Sequence, residues 1–252
     1  MIIMSKISLI IQARLGSHRF RRKVLSKIKD KTMIEHVIER VKLAKNVDQI
    51  ILCTTKNSED KILLGIAKKL KIFSFAGDEN DVVSRYFHSA KKFNADPIIR
   101  ITGDCPLIDP NLITKMLQIF FSKKVDYLSN TIIPTFPNGL DVEIFTFNTI
   151  EKIYQNAYLK SDKEHVTSYI KNHPQEFKIY NYKNNIDLSD LRLTVDEKED
   201  LKLIRKIFTL NDDKSKLLLK DILKIISKNP EISKINSKYT RNKGYLDSLK
   251  KD

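Results

Sequence analysis

Two short stretches of the chain carry side chains whose types and order suit phosphate chemistry. Residues 13–23 (ARLGSHRFRRK) place Gly16 and Ser17 among Arg14, Arg19, Arg21, Arg22 and Lys23. A glycine lets backbone N–H groups converge on an anion, arginines offer paired donors to phosphate oxygens, and Lys23 would act as a point charge at the reacting phosphate. The stretch is neither GxxxxGK(S/T) nor GxGxxG. Residues 100–110 (RITGDCPLIDP) put Gly103 at a tight turn and Asp104 just beyond it. An aspartate facing a phosphate cradle is a natural Mg2+ ligand. Cys105 is then a small packing residue, and Asp109 caps a helix that starts at Pro110. Arg100 stands mid-strand, where an unpaired charge is costly, so it must meet either a carboxylate or a ligand phosphate.

These stretches need elements to hold them. Residues 6–12 (KISLIIQ) are nearly all apolar, as a strand covered on both faces should be. Residues 32–44 show helical spacing at Met33, Ile34, Val37, Ile38 and Val41, with Thr32 and Glu35 forming a capping box. Further strands are expected at 48–54, 72–75 and 96–102, separated by helices from Ser58 to about 70 and over 80–93. That alternation predicts an α/β fold, a Rossmann-like three-layer arrangement with a mostly parallel sheet and right-handed crossovers. Ligands in such sheets sit at the carboxyl ends of strands, near a topological switch point. Both candidate loops follow strand ends.

Beyond residue 107 the pattern predicts a helix over 110–122 and strands at 125–129 and 140–147. It also predicts helices over 162–172 and 198–208, with a short strand at 192–195 between them. The intervening loop (NTIIPTFPNG) suggests an inserted substrate flap, about 130–147. The organisation expected is one domain over 1–210 followed by a lysine-rich helical extension over 211–252.

The totals narrow the class. The chain has 252 residues, 41% of them hydrophobic, enough for a real core. No apolar run approaches the roughly 20 residues that span a bilayer. Residues 1–12 lack the basic lead-in and cleavage site of a signal peptide and read as a first strand. Two cysteines, Cys53 and Cys105, make neither a disulfide framework nor a zinc cluster. A cytoplasmic location without membrane association is expected. The net charge of +15 raises nucleic acid as a partner. The lysines are scattered rather than gathered with stacking aromatics, which argues against it. An anionic small substrate accounts for part of the charge equally well.

The segment QARLGSHRFRRKVL resembles the opening of the cytidylyltransferase family that includes acylneuraminate and 3-deoxy-manno-octulosonate cytidylyltransferases. It is most similar to the branch of spore-coat polysaccharide biosynthesis proteins. TGDCPLIDP resembles a second segment of that branch. The resemblance implies that Ala13, Arg14, Leu15, Gly16, Ser17, Arg19 and Lys23 hold the triphosphate of CTP, with Arg100 and Gly103 nearby. Residues 78–81 (DEND) match a loop that helps to read the cytosine, which implicates Asp81. The segment PNGLDVEIF brings Gly139, Asp141 and Glu143 to the sugar side, and KEHVTSYI adds Glu164 and His165. LRLTVDEKED contributes Arg192 toward the substrate and Asp196 as a second metal ligand beside Asp104, while Asp200 belongs to the first turn of the next helix. Where the family has Pro-Gly before the lysine, this chain has Arg21 and Arg22; a left-handed position there costs a non-glycine residue about 1–2 kcal/mol.

The expected activity is a CTP-dependent cytidylyltransferase using Mg2+, in which Arg14, Lys23 and Asp104 act on the triphosphate. The acceptor is an acidic or phosphorylated sugar, destined for surface polysaccharide or glycoconjugate. The alternatives are a nucleotide-sugar-dependent glycosyltransferase and a catalytically inactive nucleotide-binding protein. Analogy with the family also suggests a homodimer.

Overall fold

Strand β1 (Lys6–Gln12) has Leu9, Ile10 and Ile11 fully buried, with alternate side chains entering opposite cores. It lies at the centre of a computed structural model that describes residues 5–17, 19–211, 217–241, 243–249 and 252. A small hairpin, β2 (Lys27–Ile28) and β3 (Lys31–Thr32), precedes helix α1 (Met33–Val41). The Thr32–Glu35 capping box is present: the Glu35 N–H donates to Thr32 Oγ1 at 3.4 Å, and the Thr32 N–H donates to Glu35 Oε2 at 2.8 Å. There follow β4 (Gln49–Thr55), α2 (Lys61–Lys69), β5 (Phe73–Gly77), α3 (Val82–Phe93) and β6 (Ala95–Thr102). β1 pairs in parallel with both β4 and β6, and β4 pairs in parallel with β5.

The second half comprises α4 (Pro110–Lys123), β7 (Tyr127–Ser129), β8 (Glu143–Phe145), α5 (Phe147–Asn156), α6 (Lys160–His165), α7 (Ser168–Asn172) and β9 (Ile179–Asn181). It closes with α8 (Lys198–Leu210), α9 (Leu219–Lys228) and α10 (Lys243–Leu249). Asp109 caps α4 as expected, accepting from the Asn111 N–H at 2.8 Å with Pro110 in the first turn. The sheet order is β5-β4-β1-β6-β8-β7-β9. The chain moves outward from β1 through β4 to β5, then returns to β6 on the other side of β1, so the switch point lies between β1 and β6. α1, α4 and α8 cover one face, through Val37, Ile113 and Ile204. α3 and α5 cover the other, through Tyr86 and Ile150. The fold is the expected Rossmann-like three-layer α/β architecture.

Several expected elements differ. Of residues 140–147 only Glu143–Phe145 form a strand, and it is buried inside the sheet, antiparallel to β6 and β7. The end of the expected flap is therefore part of the central sheet. Residues 192–195 make only a single bridge, Asn138 to Arg192. The helix expected over 162–172 breaks into α6 and α7 at Val166, whose φ is 60°. β9, three residues long, and α5, capped by Thr146, were not expected. The lysine-rich extension is helical in α9 and α10, as expected, and Leu217, Ile222 and Ile232 pack it on the same core as β1. Residues 212–216, 242, 250 and 251 of that extension, with 1–4 and His18, lie outside the described residues.

Glu35 gives a pH test of the α1 cap. Burial opposes its ionisation, yet Lys69 Nζ at 2.9 Å and the Thr32 N–H and hydroxyl hold the carboxyl down to about 2. The folded value lies below the ordinary 4.5, so this stabilisation is complete above about 4.5 and is lost as the pH falls toward 2. Glu35→Gln should lower the urea midpoint at pH 7, with its deficit against the parent protein closing between pH 4.5 and 2.

Candidate active site

β1 and β6 end level with each other, Gln12 opposite Thr102. The Gly103 N–H donates to the Gln12 carbonyl at 2.8 Å. A Cβ at Gly103 would come within 2.9 Å of Ala13 Cβ and 3.0 Å of Ile34 Cδ1. Close approach of two strand ends, not a left-handed turn, is what requires glycine here. Asp104 leaves β6 from this crowded point.

The loop after β1 is pinned from below. The Ala13 N–H donates to the Cys53 carbonyl at 3.0 Å, and the Leu15 N–H donates to Asp60 Oδ1 at 2.8 Å. Leu15 itself is fully buried in the core, so its contribution to the loop is backbone alone. The Ser17 and Arg22 N–H groups both donate to the Leu15 carbonyl at 2.9 Å, which brings Arg22 back against the start of the loop. Arg22 takes the left-handed conformation, φ 57° and ψ 23°, at the position where the resembled family carries glycine. Lys23 then begins a short 3-10 turn with its side chain directed inward.

Three separate segments meet at that ammonium. Lys23 Nζ lies 2.7 Å from Asp104 Oδ2 and 2.7 Å from Asp196 Oδ1. Asp196 is delivered by residues 192–200, which have no strand of their own. The Val195 N–H donates to the Asp104 carbonyl at 2.9 Å, and the fully buried Asp200 accepts from the Asp196 N–H at 2.9 Å. Arg192, expected near the substrate, instead backs the carboxylates. Its Nε and one Nη lie 2.9 and 3.0 Å from Asp200, and the same Nη lies 3.1 Å from Asp196 Oδ2. Asn236 adds a 2.8 Å hydrogen bond to Asp200.

Charge in this cluster is settled by pairing. Burial alone would raise the Asp104 value, but the Lys23 ammonium outweighs it and holds the carboxyl down to about 2. Burial alone would lower Lys23, and the two carboxylates override it and raise the value. Lys23 and Asp104 therefore both carry charge at neutral pH. Cys105 beside them is a buried thiol, pushed well up by burial and by Asp104, and is no nucleophile.

A cleft of about 970 Å3 opens in front of the cluster. Arg14, Ser17, Arg19, Lys23, Asp104 and Asp196 line its floor, and residues 78–81 line one side. Asp81 caps α3 through the Ser84 N–H at 2.7 Å and stands 4.0 Å from Lys163. α6 adds Glu164 and His165 to the lining, next to residues 78–81. Arg14 faces Glu79 and Glu164, each at 3.7 Å. Gly16 sits against residue 79, a Cβ there lying 3.2 Å from Glu79 Oε1. Burial lowers the His165 value, so its ring is neutral at pH 7, and its Nε2 lies 2.9 Å from Ser248 Oγ.

The residues expected on the sugar side divide. Glu164 and His165 line the cleft, but Gly139, Asp141 and Glu143 are not among its described lining. Gly139 has φ +104° and presses on the chain at 193–194, where a Cβ would sit 2.4 Å from the Thr194 nitrogen. Asp141 pairs with Arg241 at 2.6 Å. Glu143 is buried beneath the sheet's end, bound by Arg100, by the Tyr127 hydroxyl and by Thr167 Oγ1 at 2.6 Å. Arg100 thus meets a carboxylate rather than a phosphate, and burial makes that pair a structural one. Sequence reasoning missed Gln12, Lys160, Lys163 and Ser248, which also line the cleft. Lys160 and Lys163 share α6 with the recognised Glu164; Ser248, over 80 residues away on α10, has no signal in the sequence.

Comparison with known proteins agrees with this geometry. Residues 8–233 match the family model described as cytidylyltransferase. The chain belongs to the cytidylyltransferase family. An uncharacterized protein of Methanocaldococcus jannaschii is 38% identical over 248 residues, 96% of this chain and 98% of that protein. The spore coat polysaccharide biosynthesis protein SpsF of Bacillus subtilis is 29% identical over 235 residues, 90% and 97% of the two chains. The solved structure of a cytidylyltransferase from Leptospira borgpetersenii serovar Hardjo-bovis superposes with a TM-score of 0.88 at 33% identity, covering 94% of this chain and 99% of that one. As a cytidylyltransferase the chain is a nucleotidyltransferase, which removes the glycosyltransferase alternative. Both loops lie inside the matched stretch, whereas Arg241 and Ser248 lie beyond its end.

Two substitutions check the assignments in this cytidylyltransferase. Glu143→Gln strands Arg100 in the interior and should cost about 3 kcal/mol or more in urea unfolding, against little loss of nucleotide affinity in the folded protein measured by calorimetry. Arg22→Gly relieves a left-handed arginine and should raise stability by about 1 kcal/mol in the same unfolding assay.

Proposed function

We propose that this cytidylyltransferase transfers CMP from CTP to an oxygen of an acidic or phosphorylated sugar, releasing pyrophosphate, to supply surface polysaccharide or glycoconjugate synthesis. The observation that carries this reading is the convergence of Lys23, Asp104 and Asp196 at the sheet's switch point. The relationship to a spore coat polysaccharide biosynthesis protein supports the polysaccharide destination. A cytoplasmic site of action, where CTP is made, fits; among the described residues no helix is long and apolar enough to cross a membrane.

Asp104 and Asp196 suit magnesium. They offer two hard oxygen donors at one point, and this ion is commonly held by one or two carboxylates together with substrate phosphates. Magnesium held there would neutralise charge on the triphosphate. Arg14, Arg19 and Lys23 line the same floor and would bind phosphate oxygens, fixing the α-phosphorus for in-line attack and stabilising the departing pyrophosphate. The acceptor oxygen forms its bond to the α-phosphorus as the bond to pyrophosphate breaks. Residues 78–81 would face the base. Glu164, the neutral His165 and the cations Lys160 and Lys163 would form the wall nearest the acceptor, and the two lysines favour an anionic one. Arg22 accommodates its left-handed turn with Lys23 still directed at both carboxylates, which favours an active enzyme over an inactive nucleotide-binding protein.

The test follows pyrophosphate while CTP, UTP, ATP and GTP are offered against a panel of octulosonates, nonulosonates and sugar phosphates. CTP with one acidic or phosphorylated acceptor should release pyrophosphate. Asp104→Ala should slow that release more than about 100-fold with the circular dichroism spectrum unchanged. Near-full turnover by the variant would remove Asp104 from the mechanism.

A further inference from the structure

Lys23 is the resident cation of the carboxylate pair. Its side chain is 10% exposed, and its ammonium is shared evenly between Asp104 and Asp196. Arg19 stands 2.9 Å from the same Asp196 oxygen that Lys23 holds, and Arg192 stands 3.1 Å from the other. The groups the loop would offer to phosphate are therefore the groups now holding the groups that would take a metal.

This arrangement has a consequence for each ligand arriving alone. A divalent cation meets carboxylates already neutralised, with the like charges of Lys23 and Arg19 opposing its entry. A metal-free triphosphate can engage Lys23 and Arg19 only by drawing them off, which leaves Asp104 unpaired and Asp196 with Arg192 alone beside the ligand's own negative charge. When both arrive together the partners exchange. Phosphate oxygens take Lys23 and Arg19, the carboxylates take the cation, and no charge is left without its opposite.

We propose that Lys23 is a built-in placeholder for the divalent cation, so that cation and nucleoside triphosphate bind as a pair and each raises the other's affinity. This rests on Asp104 and Asp196 being the metal pair of the proposed transferase. It adds a positioning role for Lys23 to its phosphate contact. Coupling of this kind is reciprocal, so it is readable from either ligand.

The experiment uses calorimetry on the full chain with three titrants: MnCl2 alone, α,β-methylene-CTP in EDTA, and α,β-methylene-CTP with MnCl2. Wild type should bind the nucleotide analogue at least about 10-fold more tightly with manganese than in EDTA. Lys23→Met should bind manganese alone at least about 10-fold more tightly than wild type does, because the placeholder is gone. Equal manganese affinity in the two proteins, or an analogue affinity in wild type indifferent to manganese, overturns the proposal. If Lys23→Met does not fold, Lys23→Gln replaces it and is read in the same way. Absence of nucleotide binding under both conditions removes the transferase reading beneath it. Nucleotide binding that persists while manganese ignores the Lys23 variant removes this inference alone.

Discussion

A single buried ammonium shared by two carboxylates organises this molecule. Lys23 comes from the loop after β1, Asp104 from the end of β6, and Asp196 from the segment before α8. A charge so little exposed is tolerable only when its counter-charges are held in place, so three distant parts of the chain are obliged to converge. The loop after β1, the end of β6 and the later segment are thereby aimed at one point.

Each arm of that convergence has its own brace. Asp104 is set by the close contact of β1 and β6, where only the missing side chain of Gly103 lets Ala13 and Ile34 pack against the turn. Asp196 is set by Arg192, Asp200 and Asn236, a buried polar group whose members are paired with one another. Beneath the switch point, Arg100, Glu143, Tyr127 and Thr167 form a second buried group that ties β6 to β7, β8 and the start of α7. These groups do not line the cleft, yet they determine how precisely the lining is presented.

The α6 side of the cleft is completed late in the chain. α10 touches α6 through Ser248, whose hydroxyl lies 2.9 Å from both Glu164 and His165, and the Tyr245 ring stands edge-on to His165 at 5.1 Å. Arg241 reaches back to Asp141 and to the Phe136 carbonyl at 3.0 Å. A segment outside the family match thus contributes to the cleft of this cytidylyltransferase, while the chemistry of the floor stays within the match.

The parallel half of the sheet, the capped helices α1 and α4, and the two loops at strand ends were legible in the sequence. Local signals carry them: continuous apolar runs, helical spacing, a capping box, and glycines beside charged residues. Lys23 and Asp104 could be named as site residues from their types and their places after strand ends, and Asp196 from the family resemblance; that Lys23 pairs with both carboxylates is seen only in the folded chain. The roles of Arg100, Arg192, Asp141 and Glu143 could not be named, because a charged side chain reads alike in sequence whether it faces a ligand or an ion-pair partner. Only the folded chain decides that, since the partners Glu143, Asp200 and Arg241 come from positions whose separation carries no period. The same holds for the short strands β8 and β9 and for Ser248, whose places are set by long-range packing rather than local pattern.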